Sequence, residues 1–349
     1  MRVAFLSRWN TACGVSLHAE LIGRELLKHG YEVQVFAPLN VRPVAPDEPF
    51  VHRISEDMEG KLREGFMDTS PLITEDYEVL IIERLEWFPL DKLIQVYEQI
   101  KRKAKVVYVV HERKLPKNKA FWKFDFDAVV CFDERYARRW RRIYKEKVHV
   151  IPYPCHPIRL GDQRKAREDL NIPLEKLVVF TYSWSPSLHI IPTIRPVEEV
   201  SRKYDLTYVV LGGRRYLWEY RNELRKDFID VRFETPPLKR IYTYLHAANV
   251  FLAHKSRREV KRGEIVVSSK IFATLGALTP IMTSDLPFVE MLEEEVIKYS
   301  DLDDLKDKMQ TLFEESELAK HTIEAAMKYV SEHSSSQIAK RFIELFKKL

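Results

Sequence analysis

The sequence has few cysteines and no long apolar segment. Its three cysteines, Cys13, Cys131 and Cys155, are odd in number and scattered along 349 residues. We therefore expect reduced thiols in a reducing cytoplasm rather than a disulfide framework. No apolar stretch approaches the length of a membrane span, and the apolar part of MRVAFLSRW is too short for a signal peptide. These absences favour a cytoplasmic protein, with peripheral contact at the inner face of the membrane left open.

Motifs of several enzyme classes are also missing. The sequence contains no Cys-x-x-Cys pair, no G-x-S-x-G elbow and no complete phosphate loop. His149 and His156 have no Cys or carboxylate at ligand spacing. We therefore expect no metal and no cofactor. A hydrolase is not favoured either, because the sequence has no nucleophile motif. Asn and Gln are scarce, six of each, whereas Lys, Arg and Glu are abundant, which is typical of a thermophile.

Short apolar runs alternate with amphipathic helical stretches along the whole chain. Strands are predicted at 2–6, 31–38, 77–82, 105–110, 127–132 and 147–151, and again at 176–182, 206–213, 229–235, 249–254 and 280–284. Residues 14–30 show the apolar spacing of a helix, and Gly30 is a suitable end. Near-continuous apolar strands that alternate with helices predict parallel sheets covered on both faces.

The length and the repeated strand-helix order predict two domains. PYPCHPI (152–158) contains three prolines in seven residues, as in a connector. We expect an N-terminal Rossmann-like domain over 1–157, a C-terminal one over 158–333, and a helix over 334–349 that packs back towards the N-terminal domain. The predicted fold class is α/β, with two doubly wound domains that face a cleft and bind ligands at the carboxyl ends of their strands.

Several stretches, spread over nearly the whole chain, resemble a known family. ACGVSLHAELIGRELLKHGYEVQVF, VVYVVHE (106–112), LKRIYTYLHAANVFLAHKSRRE (238–259) and EIVVSSKIFATLGALTPIMTSD (264–285) are similar to stretches of the retaining GT-B-fold glycosyltransferases of the large mannosyl- and glucosyltransferase family (group 1 glycosyl transferases). The resemblance implies transfer of a hexose from a nucleotide-diphosphate sugar, with retention of anomeric configuration. The implied partners are this nucleotide sugar and a glycan, lipid or small-molecule acceptor.

The resemblance also implies roles for individual residues. His111 would lie near the sugar hydroxyls and Glu264 near the sugar ring, which makes them the candidate catalytic residues. A diphosphate requires backbone N–H donors and cationic side chains. The candidate donor-binding residues are therefore Gly14, Arg214, Arg215, Arg257 and Lys270. Structural roles remain open for these residues, such as a hydrogen-bonded strand-end histidine, a solvated turn glutamate and a turn glycine.

The sequence departs from the family pattern at the donor site. Ala273 occupies the place of the second of two family glutamates, Leu278 stands where glycine is common, and the loop 183–189 has no Arg or Lys. In one hypothesis the chain is an active, divergent transferase in which neighbouring cations, including Arg258, hold the diphosphate. The alternative is a non-catalytic GT-B-fold binding or regulatory protein with a degenerate donor site; a nucleotide-sugar epimerase is more distant.

Residues 101–147 are strongly basic, with sixteen Lys or Arg against six Asp or Glu. On a helix, Tyr136, Trp140, Ile143 and Tyr144 share one side. The arginines around them, Arg138, Arg139, Arg141 and Arg142, are candidates for contact with an anionic membrane or another polyanion. Core aromatics with a solvated basic face explain the pattern equally well. Binding of nucleic acid is the least favoured of the three alternatives, because the sequence contains no recognised nucleic-acid-binding module.

Overall fold

A computed structural model describes residues 1–61, 64–261 and 263–349. The chain divides into two compact units. Unit 1 comprises Met1–Pro154, Gly263–Ile265 and His333–Leu349. Unit 2 comprises the remaining described residues, from Cys155 to Lys261 and Val266–Glu332. No helix in the described part of the chain combines the length and the apolar character needed to cross a membrane.

Unit 1 is built on a parallel sheet in the order β3-β2-β1-β4-β5-β6-β7. Its strands are β1 (Arg2–Leu6), β2 (Glu32–Pro38), β3 (Val51–Ser55), β4 (Val79–Glu83), β5 (Lys105–Val109), β6 (Ala128–Cys131) and β7 (Val148–Val150). The central strand β4, VLIIE, is buried along its entire length, as expected for a sheet covered on both faces. The charged residue that ends this strand, Glu83, is therefore inside the protein.

Unit 2 contains a second parallel sheet, in the order β10-β9-β8-β11-β12-β13. Its strands are β8 (Leu177–Tyr182), β9 (Leu206–Gly212), β10 (Ile229–Phe233), β11 (Val250–Ala253), β12 (Ile281–Ser284) and β13 (Ile297–Tyr299). The prediction of two doubly wound α/β sheets is thus confirmed. The sequence analysis did not predict the short strands β3 and β13, which lie at the outer edges of the two sheets.

The α-helices follow most of the strands in chain order. They are α1 (Gly14–Lys28), α2 (Ser70–Thr74), α3 (Leu90–Lys103), α4 (Glu134–Tyr144), α5 (Gln163–Leu170), α6 (Pro186–His189), α7 (Ile191–Ser201), α8 (Arg214–Leu217), α9 (Leu238–Ala247), α10 (Ser269–Leu275), α11 (Leu302–Glu314), α12 (Ser316–His333) and α13 (Ser335–Phe346). Side chains of Asp133 and Asp301 accept backbone N–H groups at the starts of α4 and α11, which satisfies donors that have no partner within a helix.

Helix α13 belongs to unit 1, where it packs on α1. The Oγ atom of Ser335 lies 3.4 Å from Oε1 of Glu25, and the ring of Phe342 lies 6.0 Å from that of His18. Ile338 and Phe342 are completely buried. The apolar side of this helix therefore completes the core of unit 1.

Backbone segments approach closely at the end of α10. A Cβ atom on Gly276 would overlap the carbonyl oxygens of His156 and Pro157, the latter at 2.7 Å. The Gly276 carbonyl also accepts a hydrogen bond from the Arg159 N–H at 2.9 Å. The position therefore has no space for a side chain.

Replacement of Gly276 by alanine should destabilise the protein. We expect Gly276→Ala to lower the free energy of unfolding by about 1–3 kcal/mol, because backbone atoms must move to admit the methyl group. Chemical denaturation measures this change. Gly213→Ala is the control, since its added Cβ would meet only side-chain atoms, the nearest being Thr235 Oγ at 3.2 Å. Equal stability losses in the two variants would contradict the steric explanation.

Candidate donor and sugar sites

The order of strands in unit 2 creates a switch point between β8 and β11. The chain runs from β8 to β9 on one side and from β11 to β12 on the other. Loops diverge at such a point and leave a crevice at the carboxyl ends of the strands, where ligands of this kind of sheet bind. The segments that follow the two strands are residues 183–189 and 254–259.

A buried ion cluster lies at this edge. His189 Nε2 is 2.8 Å and Lys255 Nζ is 3.8 Å from Oε1 of Glu259. Burial would raise the pKa of the Glu259 carboxyl, but His189 and Lys255 outweigh it and lower that pKa to about 2. Burial lowers the pKa of His189, whose Nδ1 lies 2.5 Å from Ser183 Oγ. The carboxylate is therefore ionised and holds the two loops together.

Lys255, Glu259 and His189 were not predicted to belong to this site. A local signal for Glu259 was present in SRRE (256–259). The structure shows this segment as a capping box, in which Ser256 and Glu259 satisfy each other's backbone N–H groups. His189 carried no local signal, because its partner is far away in the sequence and meets it only through the pairing of β8 with β11.

Lys270 lies next to this cluster, in the first turn of α10. Its Nζ donates to the carbonyl oxygen of Tyr182 at 2.8 Å and lies 4.8 Å from the centre of the Tyr182 ring. Burial, followed by the nearby charge of Lys255, lowers the pKa of Lys270 well below its usual range. An anion bound beside this ammonium group would stabilise its charged form.

A cavity of about 350 Å³ opens at the carboxyl ends of β11, β12 and β13. It is lined by residues 254–258, 284–286 and 299–302 and by Ser187, Leu188 and Pro192 at the beginnings of α6 and α7. Arg257 and Arg258 are exposed and form no ion pair with a carboxylate among the described residues. The cavity therefore combines three cationic side chains and the hydroxyl groups of several serines with two carboxylates, those of Asp285 and Asp301.

Two other predicted donor-binding residues lie elsewhere. Arg214 and Arg215 are exposed on α8 and do not line the cavity. The Arg214 guanidinium lies 4.9 Å from the ring centre of Trp218, and that of Arg215 lies 5.7 Å from that of Tyr216. The structure thus places Arg257 in the cavity and Lys270 beside the ion cluster. Arg214 and Arg215 lie elsewhere, against aromatic rings.

In unit 1, His111 follows β5 and is almost completely buried, with 7% of its side chain exposed. Its Nε2 lies 3.2 Å from Oε2 of Glu83, and Oε1 of Glu83 lies 2.7 Å from Nδ1 of His18. These three side chains are close enough to be considered as metal ligands. The contact between His18 and Glu83 is a hydrogen bond, so this carboxylate already has a partner within the protein.

Neither Glu83 nor His18 was predicted to belong to a site. Glu83 had one local signal, a carboxylate at the end of the otherwise apolar run VLIIE. His18 lies on α1, among the apolar residues that predicted this helix. The neighbouring strands β1, β4 and β5, with α1 after β1, bring the three side chains together.

Two further predicted residues, the catalytic candidate Glu264 and the donor-binding candidate Gly14, also lie in unit 1. Glu264 Oε2 is 3.5 Å from Nη1 of Arg113, and its Oε1 is 3.8 Å from Nζ of Lys114. Gly14 is the first residue of α1, and its carbonyl accepts a hydrogen bond from the Tyr153 hydroxyl at 2.7 Å. The carboxylate of Glu264 thus has cationic partners within the same unit.

Helix α4 carries the four arginines predicted to contact a polyanion. Arg139 donates to the carbonyl oxygens of Arg113 (3.0 Å) and Gly263 (2.9 Å), and Arg141 pairs with Glu134 at 2.6 Å. Arg138 and Arg142 are exposed. Tyr136 and Trp140 are buried, whereas Ile143 is 41% exposed. Two of the four arginines, Arg139 and Arg141, therefore form contacts within unit 1.

No protein-family model matches the sequence. Solved structures are similar over the whole chain. A protein of Anabaena, HepE, in complex with UDP-glucose is 13% identical, with 100% of both chains covered and a TM-score of 0.71. A glycosyltransferase from Rickettsia africae is 12% identical (99% of this chain, 98% of that chain, TM-score 0.70).

Sucrose-phosphate synthase from Thermosynechococcus elongatus is also similar. It is 13% identical, with 100% of this chain and 98% of that chain covered and a TM-score of 0.67. Similarity at such low identity identifies the architecture. The chain has the GT-B fold of glycosyltransferases.

Proposed function

We propose that the protein is a retaining glycosyltransferase, which moves a hexose from a nucleotide-diphosphate sugar to an acceptor. The observation that carries the proposal is the basic cavity at the carboxyl ends of β11, β12 and β13. A volume of about 350 Å³ lies within the range of small-molecule sites. The solved structures of this fold include proteins in complex with UDP-glucose and with UDP and glucose.

The charges of the cavity suit the diphosphate. The planar guanidinium groups of Arg257 and Arg258 can each offer two parallel N–H donors to phosphate oxygens. Lys255 adds a cation at the same edge, and the Ser256 and Ser284 hydroxyl groups lie beside it. In the proposed reaction these cations stabilise the negative charge that develops on the leaving phosphate. They would do so without a metal ion.

The retaining stereochemistry and the choice of a hexose follow from the resemblance of the sequence to the mannosyl- and glucosyltransferase family. In that interpretation His111 binds a hydroxyl group of the sugar. The acceptor is a glycan, a lipid or a small molecule. The carboxylate of Asp285, which lines the cavity of unit 2, offers hydrogen-bond acceptors for sugar hydroxyl groups.

Calorimetric titration of the full chain with UDP, GDP, ADP and their common sugars tests this proposal. One nucleotide should bind, and the double variant Arg257→Ala/Arg258→Ala should weaken its binding by tenfold or more, since hydrogen bonds to charged groups contribute about 1.5–3 kcal/mol. Arg164→Ala is the matched control. This arginine is 77% exposed, pairs with Glu168 and lies outside the cavity.

Two results would contradict the proposal. If no nucleotide or nucleotide sugar bound the wild-type protein, the donor site would be inactive. If the double variant bound as tightly as the Arg164→Ala control, the cavity would not be the donor site. Product analysis of the anomeric centre, with the nucleotide sugar that binds, then distinguishes retention from inversion.

One observation favours a second candidate, a non-catalytic binding protein. Lys270, the cation expected to hold the diphosphate, donates to the backbone carbonyl of Tyr182, and Ala273 replaces the second glutamate of the family pattern. A degenerate donor site has both properties. Failure of every nucleotide to bind in the titration would select this candidate.

A further inference from the structure

A group of aromatic side chains lies at the carboxyl edge of the sheet of unit 2, outside the cavity. Trp184 follows β8, Tyr216 lies on α8 after β9, Trp218 directly follows α8, and Phe233 is the last residue of β10. The ring centres of Trp184 and Tyr216 are 5.8 Å apart, and those of Trp218 and Phe233 are 6.4 Å apart. We call these side chains the aromatic patch; they come from the ends of neighbouring strands.

The aromatic patch exposes apolar surface to solvent. Trp218 is 48% exposed, more than any other tryptophan of the chain, and Phe233 is 46% exposed. Leu217, between Tyr216 and Trp218, is completely buried, so it anchors α8 while the rings on either side of it remain exposed. Single exposed apolar residues are common, but grouped ones mark sites of interaction with a protein or a membrane.

Three arginines lie against these rings. The guanidinium groups of Arg214 and Arg221 lie 4.9 Å and 5.5 Å from the ring centre of Trp218. The guanidinium group of Arg215 lies 5.7 Å from the ring centre of Tyr216. All three arginines are exposed, and none of them forms an ion pair with a carboxylate of a described residue. Their charges are therefore available to a partner.

The segment around α8 has an excess of positive charge. Residues 213–227 contain five Lys or Arg against three Asp or Glu, and one of the cations, Lys226, pairs with Glu198 of α7. A guanidinium group that lies on a ring keeps its N–H donors in its own plane, where they can bind phosphate oxygens in pairs. The complementary partner therefore presents anionic groups beside apolar surface.

Single-stranded nucleic acid and a protein fit the aromatic patch less well. A nucleobase stacks on a ring face, but two guanidinium groups already lie against Trp218. The ring of Trp218 is also inclined at 55° to that of Phe233, so the two do not form one platform. A stable protein interface takes about 20–30 residues on each side, far more than the patch and its arginines. A bilayer surface requires neither a free ring face nor a complementary shape.

We propose that the aromatic patch docks unit 2 on the surface of a bilayer that contains anionic lipids. Trp and Tyr are enriched at membrane–water interfaces because their rings are amphipathic, and buried apolar area adds to the binding of a surface segment. The three arginines bind the phosphate groups of the lipids. This interaction rests on contacts within unit 2 and does not depend on the proposed glycosyltransferase activity.

The structure favours this surface over the basic helix α4, for which the sequence predicted contact with an anionic membrane. Arg139 and Arg141 of α4 form contacts within unit 1. Ile143 is exposed, but the rings of Tyr136 and Trp140 are buried. Helix α4 therefore offers cations with less exposed ring surface than the aromatic patch.

Co-sedimentation of the full chain with vesicles tests the proposal. Vesicles of equal parts phosphatidylglycerol and phosphatidylcholine should bind the wild-type protein, and added salt should weaken the binding because it screens the charges. Each cation near an anionic surface contributes a factor of about five to the partition coefficient, so Arg214→Gln/Arg221→Gln should lower this coefficient by roughly 25-fold.

Arg138→Gln/Arg142→Gln is the matched control. It removes the same charge from two exposed arginines of α4 and should lower the partition coefficient by less than about twofold, since charges remote from the docked surface are screened. All four substituted arginines are exposed, so the variants should fold, which circular dichroism checks.

The apolar contribution is tested by Trp218→Ser/Phe233→Ser. This variant retains the arginines but loses the exposed rings, and we expect its partition coefficient to fall by at least about tenfold. The remaining binding should still weaken with added salt. A partition coefficient equal to that of the wild-type protein would overturn the role of the rings.

Three further results would overturn the proposal. The first is failure of the wild-type protein to bind the anionic vesicles, and the second is equal binding to vesicles of phosphatidylcholine alone. The third is an equal loss in the two arginine variants, which would indicate a general effect of net charge. If Arg214→Gln/Arg221→Gln lost binding to a single-stranded oligonucleotide and kept binding to vesicles, the surface would be a nucleic-acid site instead.

Discussion

Acidification from pH 7 to pH 4 should lower the free energy of unfolding by on the order of 3 kcal/mol for each of two histidines, His111 and His254. Burial lowers the pKa of both to about 4, whereas a histidine in the unfolded chain titrates near 6.5. Between these values the unfolded state binds protons that the folded state does not. The contribution of the two neutral histidines to the free energy of unfolding is therefore complete above about pH 6.5, and it is lost as the pH falls to 4.

A second loss follows at lower pH. Glu83 and Glu259 have pKa values of about 2 in the folded protein, against about 4.3 in an unfolded chain. Their ionised forms stabilise the fold above the unfolded value, and this stabilisation is lost as the pH falls towards 2. The curve of stability against pH should therefore decrease in two successive ranges, the first due to histidines and the second to carboxylates.

Denaturant titrations at a series of pH values between 3 and 8 measure this curve. His254→Phe should reduce the slope between pH 4 and 6.5, because the phenyl ring retains the stacking on Tyr299 but binds no proton. His29→Gln, at an exposed position, is the control and should leave the slope unchanged. A wild-type stability that is constant from pH 7 to pH 4 would show that the buried histidines take up protons in the folded state.

Removal of His18 should strongly destabilise the protein. We expect His18→Leu to lower the free energy of unfolding by about 3–5 kcal/mol, because it takes a partner from a buried carboxylate. The His18 side chain is 1% exposed and that of Glu83 is completely buried, so water cannot replace the lost contact.

The double variant His18→Leu/Glu83→Leu distinguishes this explanation from a simple loss of packing. Replacement of both partners of a buried hydrogen bond by apolar residues can be nearly neutral, so the double variant should be more stable than His18→Leu. The control is His321→Leu, which breaks an exposed pair with Glu294 and should change stability by less than about 0.5 kcal/mol. Additive losses in the double variant would exclude an electrostatic origin.

The two sheets could be predicted because their strands are strongly apolar and alternate with helices. β4 and β8 are runs of five or six mostly apolar residues, long enough to stand out. β3 and β13 were missed because they are short or partly polar, VHRIS and IKY. Edge strands have one free side and partial exposure, so their composition resembles that of loops.

Leu278 is one of the residues at which the sequence departs from the family pattern. Glycine is common at this place in the family that the sequence resembles, and the structure gives Leu278 a φ of 56°, a conformation that glycine adopts easily. The sequence alone indicated the substitution but not this outcome, because φ is imposed by the turn between α10 and β12.

The candidate sites were only partly predictable. The role of His111 was implied by the resemblance of VVYVVHE (106–112) to the family, but its neighbours Glu83 and His18 are distant in the sequence. Lys270 was predicted to bind the donor diphosphate, and the structure adds a protein partner, the Tyr182 carbonyl. Such contacts depend on the order of strands in each sheet, which local patterns of residues do not define.

The discontinuity of unit 1 has a consequence for folding on the ribosome. Residues 1–154 leave the exit tunnel well before residues 333–349, which contain α13. Until then, the face of α1 on which α13 packs has no cover, and Phe342 cannot approach His18. Domains generally fold as they are synthesised, but this one is completed only after the whole of unit 2 has been made. A nascent chain that ends at Pro154 therefore displays an apolar surface that chaperones recognise.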